Sequence, residues 1–596
     1  MNVLCGRAAY QGGSITVNGK PLDKAGMKQL RSRVAYVKQR DVFFETLTVR
    51  DQLTYTARLR FPDTNTTAAA RDAAITTEVD RILRLLRLDH VAENPIRMCS
   101  GGEKKRVNIG TELLTDPSVI LLDEPTSGLD SASAVSLLGV LRDLAKNHGK
   151  TIVTSIHQPN SATFLNTFDK LLMLSDGKAV YFGTPSDSLR YLDEAAGLAC
   201  PPGYNAADHW MDLLVAGAGA AVGPPVDDEH EGVVRDRSRK MSGRSFASNP
   251  VALRPAVTPK ARLQALWDND AVASRLRDAG EVQRELLHAA AAAAATGDDR
   301  SAGDDDRGGS KYSTSWWTQY STLTHRALTK SKQTVFSPVT IIKTLAMGVV
   351  VGLVYLNKSY TERDVFNIYS YFNLVAMHWV LDGMFTSLFA FPAERVVIQK
   401  ERATASYRLS AYYMATTTAD LPVFLIMPLL FLVISYWMAV PTLGFSVFVA
   451  MLMIVFLAIM TGQGMGQLVG AAFDDVKIGQ SVATVVIVFL ILLGGFFANN
   501  IPAWLSWVRY LSPFAYASNA AMGVIFREPI PCDGSGGLGG SVCGDGLPAA
   551  DPAAVRETFQ YFGTVGSNTA CLVAFCIVPR LAAYFILRRK KAGERE

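Results

Sequence analysis

Two groups of residues within 98–130 (MCSGGEKKRVNIGTELLTDPSVILLDEPTSGLD) have types and spacings suited to handling a phosphate. Asp123 and Glu124 end the run Val119–Leu122. An unbroken apolar run that short reads as a strand buried on both faces. The carboxyl end of such a strand is where open α/β sheets place ligands. Two adjacent carboxylates there suit a magnesium–nucleotide site: one can hold the ion's hydration shell while the other orients and deprotonates an attacking water. The second group is Ser100, Gly101, Gly102 and Glu103. Ser100 and Glu103 form a capping box at a helix start. The glycines let a ligand approach the backbone closely, and the helix N-terminus carries partial positive charge that suits an anion. Singly, the two groups read as a capped surface helix and a strand end with solvated acids. Their spacing, with PTSGLD following, joins them into parts of one kind of site.

The elements that must position these groups are legible around them. Residues 14–17 running into Asn18-Gly19 read as a strand and tight turn, and Val34–Val37 as a short strand ending near Gln39. Residues 1–7 look like the middle of a helix. Thr48 and Asp51 suit a helix cap, and residues 78–88 carry apolar positions at helical spacing. Ser131–Asn147 reads as a helix and 151–156 as a second buried strand ending at His157. Strand, helix, strand implies a right-handed parallel crossover. His157 is then expected beside Asp123 and Glu124, where an imidazole can hydrogen-bond a γ-phosphate and orient water. A lone histidine is more often structural, and a lone Gln39 is equally a surface amide. Residues 171–182, turning at Ser175-Asp176-Gly177, read as a hairpin.

The chain has 596 residues, too many for one domain by the usual prior. Hydrophobic residues make up 49% and charged residues 19%, against roughly 25% charged in soluble domains, which points to a membrane protein with a soluble part. The net charge of +5 is no argument for nucleic acid, and the seven cysteines lack metal-ligand spacing. Apolar runs at 336–356, 371–391, 421–437, 445–470, 482–497 and 566–587 are each of spanning length, giving roughly six spans. Residues 501–526, broken by Pro502 and Pro513, suit an interfacial or re-entrant piece. Basic residues at Arg395, Lys400, Arg402 and Arg408, and at 588–591, fall on one side of this pattern, which places both chain ends in the cytosol and 527–562 outside. Cys532 and Cys543 then either pair there or stay as two thiols. Residues 316–332 form a basic amphipathic stretch expected at the cytosolic interface. His378 and Asp382, four apart within the second span, share a helix face; they line a substrate path or form a polar pair inside the bundle. Trp379 and Phe385 are nearby candidates to line an apolar cavity. Residues 216–260 and 297–310 read as disordered linker, with Ser242 in a basic run, and 260–295 as an Ala-rich stretch able to form helix.

SGGEKKR resembles the signature motif of ATP-binding-cassette (ABC) proteins, and VILLDEPTSGLD resembles their Walker B strand and D-loop. With the helical half fused behind, the chain is similar to the G subfamily of ABC half-transporters, nucleotide domain first. The resemblance implies a P-loop NTPase-type α/β nucleotide-binding domain over 1–215, a largely disordered linker over 216–310, and an all-α ABC-2 type transmembrane domain over 311–596. It implies that Asp123 and Gln39 hold Mg2+, that Glu124 polarises the water with His157 as switch, that Ser100, Gly101, Gly102 and Glu103 bind ATP across a dimer interface, and that Asp130 couples two sites. Asn205–Asp208 resembles an element near the end of that domain, and 395–412 a short intracellular coupling helix. The Walker A loop, G-x-x-x-x-G-K-[S/T], occurs nowhere in the sequence, so the fold expected is incomplete and ATP binding at the chain's own Walker B side weak. A truncated gene model and a degenerate subunit both account for that. The expected function is ATP-driven export of an apolar or amphipathic, lipid-like substrate by a homo- or heterodimer in a lipid bilayer, the plasma membrane, with no nucleic-acid partner. The alternative is a hydrolysis-deficient partner subunit of a heterodimer. A soluble ABC ATPase acting on DNA shares the motifs, but the apolar runs argue against it.

Overall fold

The computed structural model describes residues 3–5, 16–17, 20–21, 34–63, 67–157, 159–215, 259–268, 312–492, 494, 502, 504–532, 543 and 548–590. The readings of Ser242 and of the linker at 216–258 and 269–311 lie outside the described residues, as do residues 493 and 495–497 of the fifth expected span. Contacts divide the chain into two compact units, Met1–Gln39 with Pro117–Gly309, and Arg40–Asp116 with Ser310–Glu596. This partition differs from one cut at 215 and 310, because the helices that follow Arg40 pack with the C-terminal helices.

In the first unit, β1 (Thr16–Val17) and β2 (Lys20–Pro21) pair antiparallel. A parallel sheet follows with β3 (Val34–Val37), β4 (Val119–Leu122) and β5 (Thr151–Thr154) in that order. The register pairs Val37 with Leu122 and Leu122 with Thr154, so all three strands end at one edge. Ile120, Leu121 and Leu122 of the central strand are buried, as an unbroken apolar run requires. β5 departs from expectation: it stops at Thr154, and its residues alternate exposed and half-buried instead of being buried throughout. The helix Ser131–Asn147 makes the crossover, capped by Asp130, whose side chain accepts from the Ser133 N–H. β6 (Leu171–Ser175) and β7 (Lys178–Gly183) form the expected hairpin. Its turn places Asp176 and Gly177 at φ 49° and 77°, the pair of left-handed residues that a type I′ turn needs. Val3–Cys5 is a turn, not helix, with Cys5 packed on Tyr36 and Leu121. Helix Pro259–Asp268, inside the expected linker, buries Leu263 beside Tyr181 and Trp210. Lys260 and Asp176 pair at 2.5 Å, so that part of the stretch is ordered by contacts the composition does not reveal.

The second unit begins with α1 (Val49–Arg60), α2 (Ala68–Leu85) and α3 (Gly101–Leu113). Thr48 and Asp51 close a reciprocal capping box at the start of α1, as expected. Then come α4 (Trp316–Val335), α5 (Pro338–Val354), α6 (Val365–Ala403), α7 (Leu409–Ala439), α8 (Phe445–Ala472), α9 (Val476–Leu492), α10 (Pro513–Ile525) and α11 (Val565–Arg589). Among the described residues, four helices are long and apolar enough to cross a membrane: Glu362–Ala403, Leu409–Ala439, Phe445–Ala472 and Val565–Arg589. The first and fifth expected spans are shorter apolar helices, Pro338–Val354 and Val476–Leu492. The broken segment is a short 3-10 turn, Ser506–Leu511, followed by the buried α10, begun by Pro513. α6 and α8 touch backbone to backbone. A Cβ on Gly462 would fall inside contact distance of the Val380 carbonyl, and one on Gly466 inside that of Met384. Small residues four apart are the usual means of such close approach between membrane helices. The residues expected to form a separate coupling helix at 395–412 do not. They are the last turns of α6, a break at 404–408 with Ala405 at φ 53°, and the first turn of α7. Cys532 and Cys543 form a disulfide beside the β8 (Ile530–Pro531) and β9 (Ala549–Ala550) pair.

Candidate functional site

The parallel strands deliver their end residues into one polar cluster. Asp123 follows β4, and its N–H donates to the Val37 carbonyl, so the carboxylate stands at the sheet's edge. Tyr36 donates its hydroxyl to Asp123 Oδ2 (3.1 Å), and Ser155 donates to Oδ1 (2.8 Å). Glu124 donates its backbone N–H to Ser155 Oγ at 3.0 Å. Its carboxylate accepts from Gln39 Nε2 at 2.8 Å. Glu124 sits at φ 42°, a left-handed conformation that costs a non-glycine residue roughly 1–2 kcal/mol. Such strain collects where a side chain must be aimed for function. An adjoining groove of about 540 Å³ is lined by Glu124, Ser127, Gly128, His157 and Asn160 among others. Of the residues expected together, Gln39, Asp123 and Glu124 are linked directly or through Ser155, and His157 lines the groove that Glu124 borders. Asp130 is fully engaged as a helix cap, and its Ser133 partner, first through the side chain and then the backbone N–H, holds its carboxyl below the ordinary range. Asn205 is bonded to Asp208 (2.9 Å) and to the Pro159 carbonyl (3.1 Å), which ties the start of helix Ala206–Val215 to the segment after His157.

In the second unit, Ser100 caps α3. Glu103 N–H donates to Ser100 Oγ (3.3 Å), and Ser100 N–H donates back to Glu103 Oε2 (2.8 Å). Ser100 and Gly101 are exposed, while Gly102 is buried. His90 Nε2 lies 3.0 Å from Glu103 Oε1. Burial alone raises the Glu103 carboxyl, but the Ser100 donors and His90 outweigh it and hold it below the usual carboxylate range. A carboxyl depressed in the fold contributes stability above its unfolded pKa and loses it as pH falls through the folded value. Ser100→Ala is therefore expected to destabilise the first turn of α3 by about 1 kcal/mol at pH 7. The effect shrinks at pH values below the carboxylate range, and amide exchange at Glu103 and Lys104 at the two pH values measures it.

The other end of α3 is wired into the helical bundle. Asn108 donates to Asp41 Oδ1 (2.6 Å) and accepts from Lys400 Nζ of α6 (2.7 Å). Glu112 pairs with Arg60, whose Nε reaches Ser406 Oγ at 3.3 Å. Arg326 of α4 makes a two-pronged pair with Glu401 (2.7 and 3.1 Å) and lies over the Phe44 ring. Nearer the surface of the helical unit, Asp382 pairs with the exposed Lys343 of α5 at 2.8 Å, and its carboxylate has no hydrogen bond to His378 among the described residues. His378 is half-buried and stacks on Phe431. Trp379 is buried, and Phe385 stacks on Phe389. None of these four lines the apolar cavity of about 170 Å³ bounded by Tyr355, Asn373, Met377, Ile491, Phe514 and Ser518.

Residues 1–127 match the family profile described as ABC transporter, and residues 318–526 match the one described as ABC-2 type transporter. ABC transporter G family member 21 of Arabidopsis thaliana is 31% identical over 590 residues, covering 97% of this chain and 79% of that protein. The chain belongs to the ABC transporter G family. Member 22 of the same organism is 34% identical over 517 residues; that alignment takes in 86% of this chain and 65% of the relative, so the chain spans slightly under two thirds of that relative's length. Protein white of Drosophila melanogaster is 31% identical, over 85% of this chain and 67% of that protein. For an ABC transporter G family chain, the class of activity implied is ATP-driven transmembrane transport.

Within this G family chain, sequence reading missed Ser155, Tyr36, Lys343 and the Lys400–Asn108 and Arg326–Glu401 links. Ser155 had a signal: it follows the neighbouring parallel strand, so the crossover that places His157 also places Ser155 opposite Asp123. The charged links had none, because their partners lie far apart in the chain. Ser155→Ala removes a donor to Asp123 and the acceptor of the Glu124 N–H. It is expected to cost about 1–3 kcal/mol, read as a lower chemical-denaturation midpoint.

Proposed function

We propose that this chain is a half-transporter that dimerises and uses ATP with Mg2+ to export an apolar or amphipathic molecule across a lipid bilayer. The observation that carries the proposal is the cluster at the strand ends, where Gln39 is bonded to Glu124 and Asp123 is fixed by Tyr36 and Ser155. Its donors are carboxylate and amide oxygens, the hard set that suits Mg2+. Asp123 and Gln39 would hold the ion, whose charge offsets that of the phosphates. Glu124 accepts the proton of the attacking water. Gln39 and the left-handed backbone aim that carboxylate. His157, on the wall of the same groove, orients the γ-phosphate. Ser100, Gly101, Gly102 and Glu103 serve the partner chain's nucleotide, and Asp130 joins the two sites.

The apolar cavity with the Asn373–Ser518 hydrogen bond in its wall supports an apolar or amphipathic substrate. The disulfide supports placing 527–562 in an oxidising compartment, with both chain ends in the cytosol. Domain limits at 1–215, 216–310 and 311–596 and a plasma-membrane location belong to the same proposal. The test is ATP hydrolysis by the full chain in lipid nanodiscs, with and without a second half-transporter, followed by ATP-dependent uptake of apolar dyes into inside-out vesicles. Turnover and uptake by the chain alone support a homodimer. Turnover only with the partner assigns it to a heterodimer, and hydrolysis without uptake of any apolar compound overturns the substrate class.

A further inference from the structure

Glu362 opens the short turn between α5 and α6. It is only 2% exposed, and its Oε2 has no hydrogen-bond partner among the described residues. A buried, unsatisfied carboxylate oxygen is costly and calls for a specific explanation. Its nearest chemistry is sulfur. One donor atom each from Glu362, Cys532 and Cys543 lies within 4.8 Å of the others. In the disulfide form, neither sulfur can donate to the carboxylate.

The backbone carrying Glu362 and Cys532 is held by bonds that do not depend on the disulfide. Tyr360 donates to the Glu528 carbonyl at 2.9 Å. Asp364 accepts from the Ser359 N–H (3.2 Å) and Asn367 Nδ2 (3.1 Å), which sets the turn carrying Glu362. The Cys532 N–H donates to the Pro548 carbonyl at 3.2 Å. The two cysteine Cα atoms are 5.8 Å apart, and both side chains are half-buried, so an ion has access.

We propose that the reduced chain carries a metal site at this place: Cys532, Cys543 and Glu362 bind one zinc-like, borderline-soft divalent cation, with a fourth position open to water. Two thiolates and one carboxylate are an acceptable ligand set for such an ion, and three protein ligands plus an open position is an established arrangement. The switch balances as follows. Two equivalents of a low-molecular-weight thiol supply two electrons and two protons, and leave as their own disulfide. The Cys532–Cys543 bond breaks to two thiols, and cation binding then releases both thiol protons. In reverse, one equivalent of a low-molecular-weight disulfide takes up the two electrons and, with two protons, leaves as two thiols, while the Cys532–Cys543 bond re-forms and the ion is expelled. The site is separate from the nucleotide chemistry, and its test reads metal binding, not transport.

The experiment uses the full chain in nanodiscs, reduced with dithiothreitol under inert gas, freed of reductant, and titrated with Co2+ as a coloured probe before competition with Zn2+. The reduced protein is expected to show one equivalent of thiolate-to-cobalt charge-transfer absorption, bleached by Zn2+. The air-oxidised protein is expected to show none. Glu362→Gln should weaken Zn2+ binding at least about ten-fold, and Cys532→Ser with Cys543→Ser should abolish it. Because the oxidised and reduced wild-type samples differ only by two electrons and two protons, the comparison needs no variant to fold. The proposal is overturned by no absorption in the reduced chain, by equal absorption in the double serine variant, which would trace it to the other five cysteines, or by unchanged affinity in Glu362→Gln.

Discussion

In a chain supplied with a Walker A loop at its front, replacing Glu124 by Gln is expected to lower ATP turnover by about 10²–10⁴-fold, the usual contribution of a positioned general base, while ATP still binds and is retained. The amide keeps the shape of the side chain and loses the ability to take the water's proton. Gln39 donates to Glu124 Oε2 at 2.8 Å, and the amide oxygen of the variant accepts the same bond, so the local geometry persists. The backbone strain at φ 42° is common to both residues. A second variant separates lost chemistry from lost folding. Glu124→Gly removes the carboxylate and also the left-handed penalty of roughly 1–2 kcal/mol, part of which glycine's own flexibility offsets. It should be as inactive as the glutamine variant and no less stable than the parent. Phosphate release and nucleotide retention by the chain carrying a Walker A loop measure the first variant, and a denaturation midpoint the second. Turnover within ten-fold of the parent in Glu124→Gln would remove this residue from the chemistry.

Arg326→Met is expected to destabilise the helical unit by about 3–5 kcal/mol, because it leaves Glu401 as a buried carboxylate without its counter-ion. The Arg326 side chain is 5% exposed and that of Glu401 12%. Burial opposes the charge on Arg326, but the adjacent Glu401 and the Tyr407 hydroxyl more than compensate and raise its pKa, so it stays charged at any accessible pH. The cost belongs to the orphaned partner more than to the lost attraction. The double variant Arg326→Met with Glu401→Leu should therefore recover at least half of the loss, although Tyr407 then loses its 2.6 Å acceptor. Thermal unfolding of single and double variants in one detergent provides the cycle. A double variant as unstable as the single would show that packing on Phe44, not charge pairing, carries the effect.

The same pair has a functional consequence for the arrangement described above. Arg326 and Glu401 hold α4 against the end of α6, and Lys400, one residue earlier, is bonded to Asn108 on α3. The helix that begins with Ser100 and the helix that ends at Ala403 are thus parts of one compact unit. In place of the expected separate coupling helix, residues 395–403 continue α6.

What the residues determined by themselves was local. The capping boxes at Thr48 and Ser100, the buried run Val119–Leu122, the helix Ser131–Asn147, the turn at Asp176-Gly177 and the apolar helices all depend on neighbours a few positions away, and hydrogen bonding and period are written at that range. The placing of His157 at the sheet edge of Asp123 and Glu124 was legible because parallel strands joined by a crossover must end at one edge, whereas Gln39 was placed there only by the family resemblance. Tertiary structure alone decided that Asp382 pairs with Lys343, that Lys400 meets Asn108, and that Glu362 is buried beside two sulfurs. Those partners are separated by tens to hundreds of residues. A charged side chain buried in a bundle takes whichever counterpart the packing brings within about 3 Å, and no period in the chain encodes that choice.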